Sequence, residues 1–344
     1  MKKYFFLLFG LFFCVSAQAA DNILNLYSWS DVIPQSVIQQ FEKETGIKVH
    51  YSTYDRNEVL YAKLRANSRV GYDVIEPSSY FVDKMRKQGM LEALDKSKIS
   101  NWHFLNPVLL NPPYDPKNIY SIPYFWGVTG MFVNTHYHPA NSIKKWADLW
   151  SDKYKDQLLF LDDAREAFSV GLLSLGYKIN DENPAHIQQA FLQLKKILPN
   201  VKVFSSDTTV SIMIDEDAAL GLSWNCDAER AKRENPQISF VYPQEGFVIW
   251  VDSFAIAKDA PHKENAYQFL NFLLRPEIAK QASLYSTYAT GNLAAQKLLP
   301  ENIKNDPRIY PTAAYLRKGS FQTDPSEATL ALYEKYWEEL KMGG

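Results

Sequence analysis

From residue 22 onward, short runs rich in β-branched and aromatic residues alternate with longer stretches whose apolar residues recur every three or four positions. This alternation constrains the fold most: a strand followed by a helix that packs back on the sheet makes the next strand parallel, which is α/β architecture. Residues 23–27 read as a strand and 35–45 as a helix with Val37, Ile38 and Phe41 on one face. Gly46 stands where a helix ends in a left-handed residue, and 47–54 form the next strand. Asn57 is placed to cap a helix running through Leu64 and beyond. Residues 73–75 have the pattern of a buried strand, and 80–87 that of a helix stopped by Gly89. Strand 157–161 and helices 163–175 and 185–198 follow. In the last, Ile187, Ala190, Phe191, Leu194, Ile197 and Leu198 keep the 3.6-residue period. Between 98 and 118 the pattern lapses into Asn, Pro and Tyr, which is loop composition. Two apolar stretches, 127–134 and 247–257, lack a paired helix. They are expected to carry the chain from one lobe to another and back, although strands inside a single lobe would leave the same pattern.

A length of 344 residues suits about two domains. The chain is 46% hydrophobic and carries a formal charge of −2. That composition excludes a disordered chain and argues against a non-specific nucleic-acid binder, which needs a basic face. The 20 Phe, 21 Tyr and 8 Trp stand out, since Tyr and Trp join an apolar body to a polar tip and serve a wet site as well as a core.

Five of those Phe fall within the first thirteen residues. Lys2 and Lys3, an apolar run over 4–15, and Ala17-Gln18-Ala19 together read as a cleavable secretory signal. The run is too short to span a bilayer, which takes ~20 residues. Cleavage after Ala19 would remove Cys14 and leave Cys226 alone, so no internal disulfide is expected. Losing Lys2 and Lys3 takes the bases from 37 to 35 against 39 acids, a net charge of −4. The expectation is an exported, soluble, mildly acidic protein.

Enzyme signatures are missing. His50, His103, His136, His138, His186 and His262 are scattered, and the one close pair, His136 and His138, has no acidic or Cys support for a metal. Around Ser174 the first glycine of a nucleophile elbow is absent, and neither a P-loop nor a dinucleotide-binding glycine pattern occurs. No catalytic residue, metal or cofactor is expected.

What is present lies at strand ends, where open α/β sheets bind ligands. Trp29-Ser30-Asp31 follows the first strand, and Ser78-Ser79-Tyr80-Phe81 follows the third. Asp162-Asp163-Ala164-Arg165-Glu166 follows strand 157–161, with Asp163 and Glu166 spaced to face one way on a helix. Trp250 and Asp252 share one face of a strand. Each has a plain structural account: serines cap helices, first-turn acids complement a helix dipole, and Trp29 and Trp224 suit a core. Asp252 resists that treatment, because a carboxylate inside an apolar strand is costly unless a cation or several donors meet it. Acids beside aromatic faces describe a site for an apolar-bodied cation.

Seven segments at and around these residues carry a resemblance: 41–48, 82–86, 122–127, 146–150, 162–166, 271–276 and 292–295. In this order the mature chain resembles the periplasmic polyamine-binding (spermidine/putrescine) proteins of bacterial ABC transporters. The resemblance implies a type II periplasmic-binding fold, with two lobes built on mixed sheets, a hinge, and a ligand in the interlobe cleft. It implies a signal over 1–19 and an N-terminal lobe of 20–127 plus 252–297. The C-terminal lobe would be 132–247 plus 301–344, with hinge segments 128–131, 248–251 and 298–300. By the same resemblance Trp29, Tyr80, Trp224, Trp250 and Tyr288 form an aromatic box, Asp163 and Glu166 take one amine end, and Asp252 an amine further along. Ser30, Asp31, Ser78, Ser206 and Gln322 add polar contacts; Ser206, Tyr288 and Gln322 rest on the resemblance alone. Val32 departs from the family, which usually offers Tyr there. Asp227 and Trp29-Ser30-Asp31 resemble the putrescine-preferring branch, whereas Asp163 and Glu166 resemble the spermidine-preferring one. The implied function is capture of spermidine or putrescine by a monomer that delivers it to a membrane permease. A receptor for another cationic solute, a polyamine sensor on the same fold, and an exported hydrolase using Asp163 and Glu166 as a carboxylate pair are the rival readings.

Overall fold

The computed structural model describes residues 22–30, 32–66 and 71–343. The signal segment with Cys14, and Asp31, lie outside the described residues. The fold is a mixed α/β assembly of two lobes whose strands meet in a continuous path. The strands are β1 (Ile23–Trp29), β2 (Lys48–Tyr54), β3 (Val74–Ile75), β4 (Ser121–Asn134), β5 (Leu158–Phe160), β6 (Val201–Phe204), β7 (Leu220–Trp224), β8 (Ile238–Val241), β9 (Phe247–Ile256), β10 (Ala289–Thr290) and β11 (Gly319–Phe321). Their order along the path is β2-β1-β3-β9-β4-β7-β5-β6, with β10 and β8 beside β4 and β11 beside β9.

Within this path β1, β2 and β3 are mutually parallel, as are β5, β6 and β7. The helix Gln35–Thr45 returns the chain from β1 to β2. It ends at Gly46, whose φ of 72° is the left-handed conformation that glycine adopts without a Cβ penalty. Its buried face seats Phe41 edge-on against Phe269 and Phe272, with ring centroids 5.0 and 5.3 Å apart. On the other lobe the helix Ala164–Ser174 packs on the helix Pro184–Ile197 at Gly171. A Cβ there would stand 3.1 Å from Leu194 and 3.3 Å from Ala190, so the glycine sets the approach.

The two long apolar stretches are strands. β4 pairs with β9 from Ser121 to Val128 and with β7 from Thr129 to Val133, so one strand passes from the first sheet into the second. At the changeover Gly127 is required by space, since a Cβ would lie 2.3 Å from the Trp250 ring and 2.5 Å from Asn225 Oδ1. Asn225 in turn accepts from the Val128 amide at 2.9 Å and donates to the Arg308 carbonyl at 2.7 Å. The 98–118 loop carries several short 3-10 turns.

Two local expectations need correction. Asn57 is not a cap. It lies inside the helix Asn57–Ala66, and its amide goes to the Ser78 amide and hydroxyl instead. Ser78 does occupy the N-cap position of the helix Ser79–Lys87, but its hydroxyl makes no cap bond; a deeper partner outcompetes the helix end for it.

Candidate functional site

The carboxyl ends of both parallel strand sets point to one region. Trp29 ends β1 and Tyr54 ends β2; Glu76, Ser78 and Tyr80 follow β3; Asp163 and Glu166 follow β5; Ser206 follows β6; Trp224 ends β7 with Asp227 just beyond. β9 runs between β3 and β4 and brings Trp250 and Asp252 into the middle.

Asp252 is the centre of the arrangement. Ser78 Oγ donates to its Oδ1 at 2.6 Å across 174 residues of sequence, and the two residues also form an antiparallel backbone bridge. Asn57 Nδ2 donates to the same Ser78 oxygen at 3.1 Å. With one hydroxyl as its partner, burial pushes the Asp252 carboxyl up to about 7. Burial and then the Asp252 charge raise the buried acid Glu76, and burial, with Glu76 and Asp252 behind it, raises the Tyr54 hydroxyl.

A second acidic group lies at the end of β5. Asp163 is the N-cap of its helix and accepts from the Glu166 amide at 3.0 Å. Burial and then the Asp163 charge push Glu166 up to about 8, and its Oε2 is buried without a partner. Burial, with the Asp163 charge behind it, raises Glu58 and Tyr80, so residues on 57–66 and 79–87 face the β5 end. Arg165, in the same run, makes no ion pair with Asp163 or Glu166, and burial raises both acids against the opposing pull of its charge. Its guanidinium donates to the Thr323 carbonyl at 3.2 Å and lies 5.6 Å from the Tyr80 ring and 5.4 Å from the Tyr333 ring.

A third group surrounds Asp227. Thr209 Oγ1 donates to Asp227 Oδ2 at 2.6 Å while Oδ1 is buried and unpartnered, and burial raises the carboxyl. Tyr288 stands between this group and Asp252, its hydroxyl raised first by Asp227 and then by burial. Its ring meets Trp250 edge-on at 5.7 Å. Trp29 packs on Tyr54 at 4.7 Å. Trp29, Tyr80, Trp224, Trp250 and Tyr288 are all half-buried, and Trp29, Trp224, Trp250 and Tyr288 also pack against the apolar core.

Ser206 has a buried hydroxyl without a partner, and Gln322 is buried with its Nε2 on Ser169 Oγ at 3.2 Å, one turn from Glu166. Ser30 is exposed, with its amide on the Tyr54 carbonyl. Val32 is buried apolar surface. Cys226 is completely buried, and burial pushes its thiol up to about 12. Glu58, Tyr54, Asn57, Thr209 and Glu76 are the neighbours that sequence reasoning missed. Glu76 alone carried a signal, as an acid at the end of an apolar strand run.

Among the described residues, no ion pair reaches Glu58, Glu76, Asp163, Glu166, Asp227 or Asp252. Buried carboxylate oxygens without donors are expensive. Three of these acids, Glu76, Glu166 and Asp227, each have one, and the Trp29 and Trp250 indole N–H groups are buried without partners as well. Such a region is arranged for donors that arrive with a ligand. Among the described residues no group of three or more His, Cys, Asp or Glu is placed to hold a metal ion, and no helix is long and apolar enough to cross a membrane.

Residues 36–312 match the bacterial extracellular solute-binding protein family. The chain is 45% identical to a spermidine/putrescine-binding periplasmic protein of Salmonella typhimurium, over 95% of this chain and 94% of that protein. A putrescine-binding periplasmic protein of Pseudomonas aeruginosa is 36% identical over 95% of this chain and 94% of its own. In structure the chain is similar to a spermidine/putrescine ABC transporter substrate-binding protein from Streptococcus pneumoniae, solved with calcium and HEPES. That likeness has a TM-score of 0.84 at 34% identity and covers 93% of this chain and 99% of that one.

Proposed function

The chain belongs to the bacterial extracellular solute-binding proteins, and we propose that it is a periplasmic receptor that captures spermidine or putrescine and delivers it to an ABC permease. One observation carries the reading. Three acidic groups, Asp163/Glu166, Asp252 and Asp227, gather at the strand ends, and Tyr288 stands near both Asp227 and Asp252. Among the described residues no ion pair reaches any of these acids. A polyamine supplies what they lack, with N–H donors at intervals along an apolar chain. Each charge-assisted bond contributes ~1.5–3 kcal/mol, and a ring face over a desolvated ammonium adds up to ~2 kcal/mol. An anion receptor would use helix N-termini with Arg or Lys, which these carboxylates oppose.

The ligand contacts are Trp29, Ser30, Asp31, Ser78, Tyr80, Asp163, Glu166, Ser206, Trp224, Asp227, Trp250, Asp252, Tyr288 and Gln322. The receptor works as a monomer, exported by a signal cleaved after Ala19. The lobes are 20–127 with 252–297 and 132–247 with 301–344, hinged at 128–131, 248–251 and 298–300. Ligand contacts to both lobes favour the closed form, because only that form offers them together. There is no covalent chemistry.

The test is a thermal-shift panel of putrescine, cadaverine, spermidine and spermine, with amino acids, sugars and ferric ion as controls. A bound ligand raises the unfolding temperature by mass action. A shift with polyamines alone is expected; none from any amine would overturn the reading.

A further inference from the structure

Glu76 is completely buried and lies near enough to Asp252 to feel its charge. Its Oε2 accepts from Ser28 Oγ, its backbone carbonyl accepts from the Tyr54 hydroxyl, and its Oε1 has no partner. Backbone register sets its relation to Asp252. Val74 pairs with Ile256, Ile75 with Ala255, the Ser253 amide donates to the Pro77 carbonyl, and Ser78 bridges Asp252. Side chains alternate along a strand, so Glu76 shares its face with Ser78 and lies one step deeper than the Ser78–Asp252 bond.

We propose that Glu76 is a specificity-determining positioning residue: it backs Asp252 as the second carboxyl of a central pair and makes the cleft select polyamines with an interior ammonium over diamines of the same length. The inference rests on the polyamine reading of the cleft. An interior secondary ammonium places a charge at mid-chain, beside Asp252, where a diamine places only methylenes. Glu76 does not touch the ligand; it acts by its field through Asp252. Burial and then the Asp252 charge disfavour the Glu76 anion in the free cleft. Among the described residues the titratable groups around it are Asp252 on β9, Tyr54 on β2 and Tyr124 on β4, and none of these is cationic. When an ammonium neutralises Asp252, the Glu76 O–H ionises, its proton leaves to solvent, and the pair then presents two negative charges to one interior cation. A ligand without that cation leaves the proton in place. Terminal amines are served by the acids at either end, so Glu76 is indifferent to them.

The experiment compares spermidine with 1,8-diaminooctane, which has the same span without the interior nitrogen, by titration calorimetry in buffers of differing ionisation enthalpy. The intact protein should bind spermidine more tightly and release more protons with it, by up to about one. Glu76→Gln keeps the shape and the Ser28 contact; it should lose about tenfold in spermidine affinity, the scale of one charge acting at a distance, and leave 1,8-diaminooctane within twofold. Equal losses for both amines would mark a purely structural residue and overturn the proposal, as would an unchanged preference. Equal proton release by the two amines in the intact protein would overturn it without any variant, whether or not Glu76→Gln folds. If the intact protein binds neither amine, the polyamine reading itself fails, and the Glu76 inference with it.

Discussion

Polyamine binding should expel protons, and the number follows from two carboxyls. Asp252 is pushed up to about 7 and Glu166 to about 8, each chiefly by burial. At pH 7 the free protein therefore holds about half a proton on Asp252 and about nine tenths on Glu166. An ammonium seated at each carboxylate pulls both well below 7, so these groups release about 1.4 protons per ligand at pH 7, beyond any from Glu76. The count should rise to about 1.9 at pH 6 and fall to about 0.6 at pH 8. Affinity follows the same linkage. It strengthens between pH 6 and 8, by roughly two to three orders of magnitude from these two carboxyls alone, because the acids must lose protons to accept the cation. The ligand stays charged over that range, as alkyl ammonium groups titrate near ~10. Ligand-free stability runs the opposite way. Carboxyls raised on folding favour the folded state fully below the unfolded value near ~4, and that contribution is lost as pH rises through about 7 and 8. Calorimetry with spermidine in phosphate and in Tris separates released protons from binding heat. Asp252→Asn should remove about half a proton at pH 7, together with any that Glu76 releases, and cost ~1.5–3 kcal/mol of affinity. Binding heats independent of buffer, or an Asn variant with unchanged affinity and proton count, would refute the argument.

Other outcomes follow from the same contacts. Gly127→Ala drives a methyl group into Trp250 and Asn225, so thermal unfolding should show ~1–3 kcal/mol of destabilisation typical of overpacking, with weakened ligand affinity. Arg165→Lys keeps the charge but loses the planar contacts to Tyr80 and Tyr333 and the fork on the Thr323 carbonyl; small-angle scattering should show a larger open population without ligand. Phe41→Ala empties a fully buried aromatic seat and should cost ~3–5 kcal/mol in denaturant unfolding. Cys226, buried with its thiol pushed up to about 12, should resist a thiol reagent at pH 8 in the native protein and react once it unfolds.

Much of the fold was legible because it is locally encoded. Apolar spacing over 35–45 and 185–198 marks helices to within a residue of Gln35–Thr45 and Pro184–Ile197, since each needs only its own period to show a buried face. Asp252 was legible as well: a carboxylate in an apolar strand contradicts its surroundings, and that contradiction is local. Ser78 shows the limit. Its position before a helix is the local signal of a cap, and the structure gives its hydroxyl to a residue 174 positions away. Asn57 fails as a cap for the same reason, because its amide is drawn to Ser78.

The sequence by itself determined the elements, the α/β class, and the excess of acids and half-polar aromatics at strand ends. Only the tertiary structure decided which of them meet. β9 enters between β3 and β4, and that one insertion places Asp252 against Ser78, sets Glu76 beneath it, and brings Trp250 to Tyr288. Periodicity records which face of an element is apolar, whereas the neighbour of a strand is chosen by chain connectivity and by packing summed over the whole sheet. No window of sequence contains that sum.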